Sequence, residues 1–271
     1  MQKPKKTHCC IVLDRSGSMI DMAKEAVQHY NEFVEQFHAW GEDPELDIDV
    51  SLVTFNFQPY EHLWCEPSGK LKKAEDGSFK PYGGTAYYDA LGYVIDKYQA
   101  QDDAHDEDVS YYVMIVSDGL NNVIRHYPKD VLAEMKKACD ATGRWTFTFM
   151  GCSEGEIQDL KDLGFDPGSV RAWSKNTSAN VASANLAAAA GYMGARKGGV
   201  RGMAAAYKYA TVPENLDQEV YTCGAIAQPT SSGPNVTNTT LGTDDVFGSV
   251  SCVVDHTYKR PNTSSAGEAE A

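Results

Sequence analysis

Apolar residues along this chain fall into two alternating textures. Short runs dense in β-branched and aromatic side chains occur at residues 9–13, 50–57, 111–116 and 145–150. The first and third lack polar alternation, as expected of strands covered on both faces of a parallel sheet. Between the runs the spacing changes to the 3.6-residue repeat of a helix. Ala23, Ala26, Val27, Tyr30, Phe33, Val34 and Phe37 keep to one helical face. Leu91, Val94, Ile95 and Tyr98 make a second stripe, and Val131, Leu132, Met135, Ala138 and Cys139 a third, with Pro128 suited to its first turn. Strands alternating with amphipathic helices predict βαβ units. The fold class is α/β, a doubly wound and mostly parallel sheet with helices on both faces.

Other segments extend this plan. Residues 46–66 read as a hairpin that adds one antiparallel edge strand, because a second apolar run at 60–65 follows Gln58-Pro59 directly. Residues 68–84, rich in Lys and Gly, read as a long surface loop of the kind that often carries function. A short helix at 154–163 and a short strand at 170–173 come next. An Ala-rich helix at 178–197 then presents Val181, Ala184, Asn185, Ala188 and Tyr192 as its stripe and stops at Gly198-Gly199. Residues 1–200 form one domain in this reading. Residues 201–271 form an Ala/Gly linker and a Ser/Thr/Asn-rich acidic tail, largely irregular, in which the β-like runs 220–227 and 246–254 leave room for a short hairpin.

Composition narrows the function classes. The chain has 271 residues and a net charge of −14, which argues against a nucleic-acid partner. Eight acidic and two basic residues lie in 211–271, so much of that charge sits outside the domain. Hydrophobic residues make up 42%, enough for a full core. No apolar run approaches the roughly 20 residues of a membrane helix, and no membrane partner is expected. The basic start at residues 1–6 leads to only five apolar positions, too few for a secretory segment, so the chain reads as cytoplasmic. Seven cysteines without CxxC spacing suggest neither a disulfide framework nor a zinc knuckle. Cys9 and Cys10, adjacent in a strand, read as small core residues on opposite faces. The acidic run at 102–108 lacks the central Gly and distal Glu of a calcium loop and reads as a solvated connection.

The chemistry concentrates where the first strand ends. Asp14, Ser16 and Ser18 place oxygen-bearing side chains at alternate positions directly after a buried strand. In an open α/β sheet ligands bind off the carboxyl ends of the strands. Thr85, in Gly83-Gly84-Thr85 before the second helix, and Asp118, in Ser117-Asp118-Gly119 after the third strand, fall at equivalent ends. Carboxylates and hydroxyls without His or Cys describe a hard-cation site. Few carboxylates and room for water favour Mg²⁺, or Mn²⁺, over caged Ca²⁺. Taken singly, Ser16 and Ser18 read as caps of the following helix, Thr85 and Asp89 as helix-start chemistry, and Asp118-Gly119 as a turn. Their joint occurrence favours the metal. Asn121 and Asn122 belong either to the rim of the site or to the loop alone, and His126 reads as an exposed loop residue.

In this order and on this alternation of elements, Asp14-x-Ser16-x-Ser18, Gly83-Gly84-Thr85 and Ser117-Asp118-Gly119 resemble a von Willebrand factor A (vWA) domain with its metal-ion-dependent adhesion site. Tyr88-Asp89-Ala90-Leu91 is similar to bacterial and phage members. The resemblance covers about residues 6–197. It implies a metal-dependent protein-binding module of intracellular type, not an enzyme. Asp14, Ser16, Ser18, Thr85 and Asp118 would hold the ion, and a partner's Asp or Glu would complete its coordination. Intracellular members of the family often serve as adaptors for AAA+ ATPases or larger assemblies.

Two other classes compete. A structural or assembly subunit would dock through the tail. A Mg²⁺-dependent phosphohydrolase would use Asp14 as nucleophile, but it needs a general acid two residues later, where Ser16 stands. No P-loop and no GxGxxG is present.

Overall fold

The computed structural model describes residues 5–151, 154–165, 170–172, 178–199 and 246–247. Its strands are β1 (Lys6–Asp14), β2 (Asp47–Phe55), β3 (Pro59–Pro67), β4 (Ser110–Val116), β5 (Trp145–Gly151) and β6 (Val170–Ala172). Its helices are α1 (Ala23–Gly41), α2 (Tyr87–Gln99), α3 (Lys129–Ala141), α4 (Glu154–Asp162) and α5 (Ser178–Lys197). The six strands lie in the order β3-β2-β1-β4-β5-β6. All pairs are parallel except β2 with β3, the antiparallel hairpin expected at the sheet edge.

Side-chain alternation in β1 divides the core into two layers. Cys9, Ile11 and Leu13 pack on one face with Ala26, Tyr30, Phe33 and Phe37 of α1 and Tyr192 of α5. Cys10 and Val12 pack on the other with Leu91, Val94 and Tyr98 of α2 and Leu132 and Met135 of α3. Each of residues 9–13 is at most 2% exposed, which explains the run's unbroken apolar text. Burying Ile11, Val12 and Leu13 stabilises by about 1.5–3 kcal/mol each. Cys9, Cys10, Cys65 and Cys139 are free thiols. Among the described residues no helix is long and apolar enough to cross a membrane.

The connection between β3 and α2 departs from the surface-loop reading. Leu71, Ala74 and Phe79 are buried, following a short 3-10 turn at Ser68–Lys70. Polar side chains of α1 satisfy its backbone. The Tyr30 hydroxyl donates to the Lys72 carbonyl at 2.7 Å, Asn31 brackets Ala74 through its carbonyl (2.9 Å) and amide (2.7 Å), and His38 Nε2 contacts the Leu71 carbonyl at 2.8 Å. Three apolar residues spaced without a period carry no sequence signal, and tertiary packing in the layer of α1 gives them a surface.

In α5, Asn185, Ala188 and Tyr192 are buried as the stripe requires, while the side chains of Val181 and Ala184 lie outside the described residues. So does the 201–271 tail with its hairpin runs, apart from Val246 and Phe247, which lie in a turn.

Candidate metal centre

The strand order reverses beside β1: the chain moves outward through β2 and β3, then crosses back to β4 on the other side. The crevice at the carboxyl ends of β1 and β4 is therefore the topological switch point of the sheet. Asp14 ends β1, and the 117–125 loop leaves β4 next to it.

Hydrogen bonds tie three segments into one cluster. Asp14 Oδ1 accepts the Ser16 amide at 2.6 Å, and its Oδ2 accepts the Ser117 hydroxyl at 2.6 Å. Ser18 Oγ donates to Asp118 Oδ1 at 2.6 Å and lies 2.9 Å from Ser16 Oγ. The Ser18 proton is committed to the Asp118 carboxylate, and the Ser16 hydroxyl also bonds Asp14. Ser16 stands at the helix-start position of the following 3-10 turn (Gly17–Met22), yet its side chain makes no capping bond. The capping role that Ser16 suggests when taken singly is therefore not what its side chain does, because these hydroxyls face the carboxylates and not the helix amides.

Thr85 is positioned by its backbone. Asn122 accepts the Thr85 amide on Oδ1 at 2.8 Å and returns its own amide to the Thr85 carbonyl at 2.9 Å. Asn121 Oδ1 accepts the Tyr88 amide at 3.1 Å. Asp89 caps nothing in its own helix. It accepts the amides of Arg125, His126 and Tyr127, each at 2.9 Å, and so fastens the loop that follows Asp118. His126 is exposed, as expected.

Glycines let the loops close on one another. Gly83 has φ +85°, and a Cβ there would lie 2.5 Å from the Phe57 ring. A Cβ at Gly119 would stand 3.1 Å from Ser18 Oγ and 3.4 Å from Thr85 Oγ1. The bare backbone at 119 leaves open the space that these two hydroxyls share. Ser18 and Thr85 are thereby brought together with Asp14, Ser16 and Asp118 at one end of the sheet.

Electrostatics mark the same spot. Burial pushes the Asp14 carboxyl up to about 7, partly countered by the bonds from Ser117 and Ser16. Burial likewise raises Asp118 to about 6, with the Ser18 bond opposing and Glu156 and Asp21 adding negative charge. Glu156, on α4 and 1% exposed, carried no sequence signal because its approach to Asp118 depends on how α4 packs. Among the described residues no group of three or more His, Cys, Asp or Glu side chains could hold a metal, so hydroxyls must complete any cation site here. Two carboxylates and three hydroxyls form an all-oxygen set that fits a hard divalent cation.

The surrounding loops carry an apolar rim. Ile20, Phe57, Tyr82, Leu120 and Ile124 are the exposed large hydrophobic residues of the described structure, from 43% to 62% accessible. All five lie in segments that follow β1, β2 or β4 or that lead into Thr85.

Comparison with known proteins agrees with this architecture. The vWF domain of the type V pilus tip protein Mfa5 from Porphyromonas gingivalis superposes with a TM-score of 0.50 at 12% identity, over 83% of this chain and 99% of that one. Proximal thread matrix protein 1 from the mussel byssus gives 0.50 at 16% identity, over 68% of this chain and 46% of that one. This chain therefore spans less than half the length of the mussel protein. No curated protein sequence matches. The family model for the von Willebrand factor type A domain matches residues 9–187, about two thirds of the sequence, and the chain belongs to that family.

Proposed function

We propose that the chain is a metal-dependent protein-binding module whose partner presents an Asp or Glu side chain. One observation carries the reading: five oxygen-bearing side chains from three segments gather at the switch point, with both carboxylates raised by burial. Ser16, Ser18 and Thr85 would hold Mg²⁺ or Mn²⁺ directly, with Asp14 and Asp118 supplying the balancing charge. The bound cation would supply a positive charge able to attract an external carboxylate. The protein's own part is to hold the hydroxyls in place through Asn122 and Asp89 and to keep Asp14 away from bulk water. Exposed apolar residues around the site suit a protein surface better than a small molecule.

Binding, not catalysis, is the better reading, because Ser16 occupies the position where a phosphohydrolase would need its general acid. A complete adhesion site of the intracellular bacterial or phage type, working in the cytoplasm beside an AAA+ ATPase or larger assembly, extends the same proposal. The free thiols Cys9, Cys10, Cys65 and Cys139 are compatible with a reducing compartment.

Affinity capture in Mg²⁺ followed by elution with EDTA tests the reading. Proteins released by EDTA and absent from an Asp14→Ala bait are the expected outcome. Mg²⁺ and Mn²⁺ titrations without heat, together with unchanged capture by Asp14→Ala, would overturn it.

A further inference from the structure

Far from the metal cluster in sequence, Phe247 is only 2% exposed and belongs to the core layer of α1. It is the only phenylalanine after Phe165. Its ring meets three others edge-on: Tyr30 of α1 and Phe79 of the 71–86 segment, both at 5.3 Å between centroids, and His62 of β3 at 6.3 Å. Edge-to-face packing at these distances is the favoured aromatic geometry. Burial holds His62 down to about 4, with the Arg15 charge acting the same way and the Val246 backbone opposing, so the ring is neutral at physiological pH and suits an apolar neighbour. Its Nε2 lies 2.7 Å from Thr54 Oγ1, which fixes its orientation.

The main chain of the segment is read as well. Arg15 Nη1 donates to the Phe247 carbonyl at 2.8 Å. Arg15 is itself braced. Its amide donates to the Phe55 carbonyl (2.6 Å), its carbonyl accepts the Tyr82 amide (2.8 Å), and its guanidinium lies 6.0 Å from the rings of Tyr60 and Tyr82. Four separate segments thus converge on one aromatic side chain and one backbone carbonyl, the combination by which grooves recognise short peptides. The 46 residues at 200–245 place no limit on reach, since that length spans up to about 150 Å when extended.

We propose that the groove formed by Tyr30, His62, Phe79 and Arg15 is a peptide-binding site for a short segment with an aromatic side chain after a β-branched one, and that Val246–Phe247 of the same chain occupies it. The site is distinct from the metal cluster in its ligand chemistry and needs no cation. Arg15 nevertheless belongs to the loop between Asp14 and Ser16, so the two sites share a strand end.

Two measurements test this on the full chain. With p-benzoylphenylalanine in place of Phe247, ultraviolet irradiation is expected to give a monomeric product crosslinked to the peptides containing Tyr30 or Phe79. Crosslinks only between chains, or only elsewhere on the domain, would overturn the assignment. Second, a fluorescent peptide of residues 243–250 is expected to bind Phe247→Ala at least about tenfold more tightly than wild type, because the tethered segment competes at millimolar effective concentration. The same peptide with Ala in place of its Phe should bind neither protein. Equal binding to both proteins, or none to a folded Phe247→Ala chain, would overturn the proposal, and if that variant fails to fold the crosslink decides.

Discussion

The two ends of β1 handle charge in opposite ways. At the amino end opposite charges meet. Lys6 lies 2.7 Å from Asp49 and 3.3 Å from Asp47, and Lys5 lies 3.0 Å from Asp108, while His8 Nε2 is hydrogen-bonded to Asp103 at 2.9 Å. Arg196, buried at the end of α5, donates to Thr7 Oγ1 at 3.0 Å and to the carbonyls of Lys6 and Asp108 at 2.9 Å. At the carboxyl end the partners of Asp14 and Asp118 include hydroxyls and an amide, and neighbouring carboxylates add to the load. One end is balanced from within the chain. The other stabilises its carboxylates only in part, and burial lifts both of them toward neutral pH. The structural network and the proposed metal site differ in whether compensating charge is present within the chain, not in how many polar residues they hold.

The largest expected effect separates the ends directly. Asp14→Ala should weaken Mg²⁺ binding at least about 100-fold in calorimetric titration, whereas Asp103→Asn at the amino end should leave it unchanged. Equal losses from both variants would dissolve the distinction. Next comes Arg196→Met, which removes three hydrogen bonds from a buried cation. It should destabilise the domain by about 2–4 kcal/mol in denaturant unfolding while leaving metal affinity alone.

The pH response sharpens the contrast further. Asp14 and Asp118 have folded-state values raised above those of the unfolded chain, so their contribution is fully present at low pH and lost as pH rises through about 6 to 7. In EDTA the melting temperature should fall by several degrees between pH 5 and pH 8, and saturating Mg²⁺ should flatten that slope. A slope unaffected by Mg²⁺ would detach the titration from the proposed site. The smallest effect is expected for Gly119→Ala. A methyl group 3.1 Å from Ser18 Oγ should cost about tenfold in Mg²⁺ affinity with little change in melting temperature.

Different parts of the site were legible to different degrees. Asp14, Ser16 and Ser18 stood out because a buried strand rarely runs into alternate oxygen-bearing residues, and Thr85 and Asp118 because they recur at equivalent strand and helix ends. The roles of Asn122 and Asp89 were only half visible. Asn122 holds both backbone groups of Thr85, and Asp89 gathers three amides from a loop 36 to 38 residues away. Glu156 was silent, since nothing local marks a helical glutamate as a neighbour of Asp118.

The sequence by itself determined the alternation of strands and helices and the two faces on which Cys9 and Cys10 part, because each follows from a period of 2 or 3.6 residues within one element, and it determined the antiparallel edge because two apolar runs are joined directly by a short turn. The tertiary structure alone decided the burial of Leu71 and Phe79 under α1, the approach of Glu156, and the seating of Phe247 against Tyr30. Those contacts join segments with no periodic relation, up to 232 residues apart in the case of Arg15 and Phe247. Local spacing constrains a residue's own element, and only packing brings such distant elements to a common surface.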